Sequence, residues 1–85
     1  MGQKQNRETT LNGIIIAARM DEQYNAVSIM IATDDEEDYT IVKNDIGKEL
    51  FYYLSTRVKL TGTVKENFDG TKRVIVKKYD IISYP

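Results

Sequence analysis

The side chains of this sequence offer little for covalent chemistry and more for binding. There is no cysteine and no histidine. That removes thiolate chemistry, the commonest metal ligand and the group best suited to proton transfer near neutral pH. Zinc sites, Ser-His-Asp triads and Cys-His dyads are therefore excluded within the chain. No motif pairs a nucleophile with a base, and no glycine-rich phosphate loop is present, so a non-enzymatic role is expected and no cofactor is implied. The run Asp34-Asp35-Glu36-Glu37-Asp38 gathers carboxylates that could hold a hard cation, yet it lacks the spacing and glycine of a calcium loop. A solubilising turn that also guards a hairpin against edge pairing is the better reading. What remains is aromatic and basic. Phe68 sits in the turn Asn67-Phe68-Asp69-Gly70, with Lys65, Lys72 and Arg73 close by in sequence. An aromatic there can offer a flat stacking face, or fold back to close the core, since its large apolar area favours burial. Tyr52 and Tyr53 read as core and rim packing. Lys77 and Lys78 are adjacent, and adjacent strand residues point to opposite faces, so they form no single patch.

The elements that must position these residues follow from hydrophobic spacing. Glu8 to Met20 is expected to be a long first strand, apolar on both parities at Ile14-Ile15-Ile16-Ala17-Ala18, which implies cover on both faces. Gly13 marks a bend or bulge within it. Asn25 to Thr33 is a second strand with Val27, Ile29 and Ile31 on one face and Ala26, Ser28, Met30 and Ala32 on the other. The acidic run then turns the chain into a third strand, Asp38 to Lys43, forming a hairpin. Asn44 is a helix N-cap, and Asp45 and Glu49 place negative charge near the start. Ile46, Leu50, Tyr53 and Leu54 make an apolar stripe over residues 45–54, with Gly47 as a weakness. Arg57 to Glu66 is the fourth strand, with Gly62 at an inward position where barrels bend. The Asp69-Gly70 pair signals a turn into a fifth strand, Lys72 to Ser83.

A chain of 85 residues makes one domain. We expect a flexible segment over 1–7 and the folded domain over 8–83. The longest clear apolar run, Ile14 to Ala18, is far short of the roughly 18 residues needed to span a bilayer, so no membrane insertion is expected. The polar start resembles no signal peptide. This implies a cytoplasmic home if the chain is complete, and an envelope or secreted one if a leader has been trimmed. The net charge of −1 conceals segregation: residues 1–20 carry +2, residues 21–49 carry −7 and residues 50–85 carry +4. Such polarity can orient a partner.

The order β-β-β-α-β-β is the OB-fold order. Val58-Lys59-Leu60-Thr61-Gly62-Thr63-Val64, the Asp69-Gly70 turn and Val74-Ile75-Val76-Lys77-Lys78-Tyr79 resemble the fourth and fifth strands of small bacterial OB-fold domains. Leu50-Phe51-Tyr52-Tyr53-Leu54 sits where that fold places its barrel-plugging helix. The resemblance covers residues 8–83 and implies an all-β, five-stranded barrel with one short helix. It is poorly specific for function, because the fold serves single-stranded nucleic acid, oligosaccharides, proteins and small ligands. Covalent haem carriage, as in the OB-fold haem chaperone of cytochrome c maturation, needs a histidine that this sequence lacks. The resemblance implies a ligand surface on the outer face of strands two and three and the loops beside it. There Tyr24 and Phe68 are the loop candidates, Tyr39 and Lys43 the strand candidates, and Arg19, Lys65, Lys72 and Arg73 the bases. Tyr39 shares parity with Ile41 and has an inward alternative. The acidic run borders this surface and would repel phosphates. Single-stranded nucleic acid is one expected partner, and a protein, oligosaccharide or small ligand the alternative. The residues do not fix an oligomeric state.

Overall fold

The computed structural model describes residues 8–84; the segment expected to be flexible, 1–7, lies outside them. Five strands close into a barrel in the order β1-β2-β3-β5-β4. They are β1 Glu8–Met20, β2 Ala26–Thr33, β3 Asp38–Ile41, β4 Arg57–Glu66 and β5 Lys72–Ser83. Neighbours pair antiparallel, except that β3 and β5 run parallel through Tyr39↔Lys72, Thr40↔Arg73 and Ile41↔Val74. Between β3 and β4 lie the helix α1, Asp45–Glu49, and a 3-10 turn, Leu50–Tyr53. The expected OB-fold architecture is the observed one.

Alternation builds the interior. Leu11 and Ile15 of β1, Ile29 and Ile31 of β2, Ile41 of β3, Val58 and Leu60 of β4, and Val74 and Val76 of β5 are all buried. Inward and outward positions alternate along a barrel strand. The expectation that β1 is covered on both faces fails for this reason: Ile16 is exposed, and among the described residues no second layer lies over the outer face. β3 ends two residues sooner than expected. Val42 N–H still donates to the Val74 carbonyl at 3.0 Å, but Asn44 must leave the ladder to cap α1, where its Oδ1 accepts from Gly47 N–H at 2.7 Å. Leu50 is fully buried as the plug, and Ile46, Tyr53 and Leu54 pack around it half-buried. Tyr79 on β5 donates its hydroxyl to Glu49 at 2.8 Å and leans on Tyr53, ring centroids 6.0 Å apart. The helix and the last strand are thereby tied together.

Two glycines hold close backbone approaches. A Cβ on Gly13 would lie 2.2 Å from the Ala32 carbonyl oxygen, and one on Gly62 would lie 2.2 Å from that of Ile75. At Gly62 this coincides with a register shift between Thr61 and Gly62, the irregularity expected there. At Gly13 the ladder is regular; the β1 shifts fall later, around Arg19. These later shifts also break the alternation of β2, so that Ala26, expected outside, packs against the core. On β5 the shift lies between Val76 and Lys78. Lys77 and Lys78 are both exposed, so strict alternation does not separate them as expected.

Candidate functional site

The β4–β5 turn is a compact, polar-braced projection. Asn67 N–H donates to the Thr71 carbonyl at 2.8 Å and Gly70 N–H to that of Asn67 at 3.1 Å. Asp69 Oδ1 accepts from the Thr71 hydroxyl at 2.6 Å and its N–H at 3.0 Å. Those bonds hold the Asp69 carboxyl below its ordinary pKa, the hydroxyl contributing most. Gly70, at φ 90°, supplies the left-handed residue that the turn needs. With the backbone fixed this way, Phe68 points clear of the barrel at 112% relative exposure. Of its two sequence readings, the fold-back one is ruled out: its ring covers nothing.

Below the turn, Lys65 and Arg73 sit directly opposite each other on the outer face of β4 and β5. The row continues through Thr40 on β3 to Met30 on β2. Adjacent strands lie about 4.8 Å apart, so these four positions span about 14 Å across the sheet. Neither Lys65 nor Arg73 enters an ion pair among the described residues. Lys72 is differently placed. Its ammonium lies 2.5 Å from Glu37 and 5.9 Å from the centroid of the Tyr39 ring. The hydrogen bond to Glu37 raises its pKa above the usual lysine value.

The acidic run was expected to border this surface, and the parallel pairing of β3 with β5 sets the β2–β3 turn directly beside the β4–β5 region. A groove of about 430 Å³ runs between them over Met30 and Thr40, with Glu36, Glu37 and Asp38 along one side and Gly70, Thr71 and Lys72 along the other. Asp34, at the start of the acidic run, holds Arg57 at 2.9 Å. Nothing in the local sequence pairs Glu37 with Lys72; only the β3–β5 adjacency inherent in the fold could have suggested it.

The remaining candidates disperse. Tyr39 takes its inward alternative, half-buried against the core cluster. Tyr24 is 83% exposed and adopts φ 65° in a turn held by Asp21, whose Oδ1 accepts from the Gln23 and Asn25 N–H groups at 2.9 Å each. This turn joins β1 to β2, at the opposite end of β2 from the acidic turn. Eight residues of β2, at about 3.3 Å each, separate the two ends by about 26 Å, so Tyr24 and Phe68 do not converge. Arg19 is exposed on β1, beside Ser28. Lys43 lies beyond the end of β3, its ammonium 5.2 Å from the Phe51 ring centroid. Tyr52, expected to pack, is 87% exposed. It falls two residues after Leu50, about 240° around a 3-10 turn of three residues per turn, and so off the buried side. That spacing was the available signal.

No protein-family model and no curated protein sequence matches the chain. Among solved structures it is similar to the crystal structure of a mitochondrial single-stranded DNA-binding protein from S. cerevisiae. The TM-score is 0.58 at 17% identity, over 95% of this chain and 98% of that one. This likeness establishes a shared OB-fold. No helix among the described residues is long and apolar enough to cross a membrane.

Proposed function

We propose that the chain is a non-enzymatic binding module that holds single-stranded nucleic acid against the outer face of β4 and β5. The observation that carries this reading is Phe68, an aromatic ring held fully in solvent by a braced turn. Exposing that much apolar area has no evident benefit to the barrel, whereas a base stacked on it gains about 1–3 kcal/mol. Lys65 and Arg73, opposite each other just below, would neutralise phosphates. The likeness to a protein that binds single-stranded DNA is consistent with this. Lys72 is already engaged by Glu37, so two phosphate contacts remain. At about 0.7 per contact on a single strand, log affinity should fall against log salt with a slope of about −1.4.

The test is a titration of labelled mixed-sequence single strands at two salt concentrations, with wild type and Phe68→Ala. The variant should bind about fivefold more weakly or worse. Undetectable binding at low salt removes the reading. Binding indifferent to Phe68→Ala but abolished by Arg73→Glu reduces it to a nonspecific basic patch. One observation favours a second reading: the groove beside the turn is edged by Glu36, Glu37 and Asp38, which suits a cationic segment of a protein partner better than a phosphate chain. A basic peptide that binds in place of any nucleic acid would support that alternative.

A further inference from the structure

The grooves at the two ends of β3 differ in the charge of their lining. At the start of β3 lies the acid-edged groove. Past its end, between the strand and the helix, lies a second groove of about 400 Å³ lined by Lys43, Lys48, Glu49, Phe51 and Tyr52. Its one carboxylate, Glu49, already accepts the Tyr79 hydroxyl at 2.8 Å. Its two ammonium groups enter no ion pair among the described residues, and Lys43 is held over the face of Phe51. Tyr52 stands open at 87% relative exposure. An exposed ring beside two lysines outside any ion pair is the pairing of stacking face and phosphate partner that a sequence-tolerant single-strand contact needs. The groove lies farther along the same segment: Thr40 neighbours Arg73, and Lys43 follows three residues on, just past the end of β3, at most about 10 Å away at about 3.3 Å per residue.

We infer that this groove is a second contact point for the same single strand, with Tyr52 stacking a base and Lys43 and Lys48 holding the adjoining phosphates. The inference rests on the nucleic-acid reading above. It adds a direction: the strand leaves Arg73 along β3 toward the helix, away from the acidic turn. Binding should therefore strengthen with length across the range of roughly 4 to 12 nucleotides, within the site sizes known for single OB-folds.

The experiment titrates labelled oligothymidylates of about 4 and about 12 nucleotides against the intact wild type, Tyr52→Ala, Tyr52→Phe, Lys48→Glu and Phe68→Ala, with thermal melts to confirm that each is folded. Tyr52→Ala should weaken the longer strand at least about fivefold, Lys48→Glu should weaken it too, and Tyr52→Phe should match wild type, because the ring and not the hydroxyl makes the contact. If Phe68→Ala weakens binding while Tyr52→Ala and Lys48→Glu do not, the second contact is wrong and the first reading stands. If wild type binds neither length in low salt, both are overturned together.

Discussion

Replacing Gly47 by alanine should lower stability, although helix propensity alone points the other way. In an open helix the change gains roughly 0.5–1 kcal/mol, because glycine loses more conformational freedom on folding. Here the position is buried. The new Cβ would lie 2.1 Å from the Val42 carbonyl oxygen, 3.0 Å from Asn44 Oδ1 and 3.2 Å from Ile41 Cγ2. The first distance cannot be relieved by a side-chain rotation, since the oxygen is backbone and belongs to the segment whose Val42 N–H still bonds Val74. Either α1 lifts from the end of β3 or the β3–β5 pairing yields. Overpacking of this kind costs about 1–3 kcal/mol. Lifting α1 would also break the cap bond from Gly47 N–H to Asn44 Oδ1, worth about 1 kcal/mol. After the propensity gain is subtracted, a net loss of about 1–3 kcal/mol remains, or roughly 4–24 °C in Tm for a domain of this size. The assay is calorimetric or circular-dichroism melting of wild type and Gly47→Ala. Asn44→Ala serves as the measure of the cap alone. A Gly47→Ala protein that melts at or above the wild-type temperature would refute the steric reasoning.

Asn44→Ala should itself cost about 1 kcal/mol in denaturant titration, because the Gly47 amide loses its acceptor. Glu37→Gln should free Lys72 for a ligand phosphate, steepening the salt slope of single-strand binding from about −1.4 to about −2.1; an unchanged slope would mean that Lys72 faces no phosphate. The Tyr79 hydroxyl, held protonated chiefly by its bond to Glu49, has its pKa pushed up from 10.0 to about 12. Since the folded state binds that proton more tightly, the associated stability is complete below about pH 10 and drains away as pH rises toward 12. Melting across that window should show a steeper fall for wild type than for Tyr79→Phe, and equal slopes would deny the bond a role.

The strands were legible because barrel alternation is written in residue type. Ile29 and Ile31, Val58 and Leu60, Val74 and Val76 each announce an inward face. The N-cap at Asn44 and the plug at Leu50 were legible for similarly local reasons. What escaped depends on partners distant in sequence. Gly47 reads locally as a weak helix residue, and only the nearness of Val42 explains it. Lys72 reads as a free base until the parallel β3–β5 pairing brings Glu37 to it. Phe68 had two local readings of equal merit, and the choice lay in the geometry of the Asn67–Thr71 brace. Ile16 and Lys77 were misplaced because strict rules about faces ignore where a barrel has no outer layer and where a register slips.

The parallel contact between β3 and β5 also bears on how the chain reaches this state. β1 meets β4 from Glu8↔Thr63 to Ile14↔Arg57, and β3 meets nothing on its far side until residues 72–74 arrive. Without β4 and β5 the β1–β2–β3 meander has an unpaired edge on each flank, and β5 is the strand that satisfies both β3 and β4. Pairings between residues so far apart make for a slow folder. They also leave the nascent three-stranded sheet open to pairing with other chains. Until β5 pairs, the crowded carboxylates of residues 34–38 would serve the protein before it has a barrel at all, by repelling a second nascent copy from the edge that β5 will later occupy.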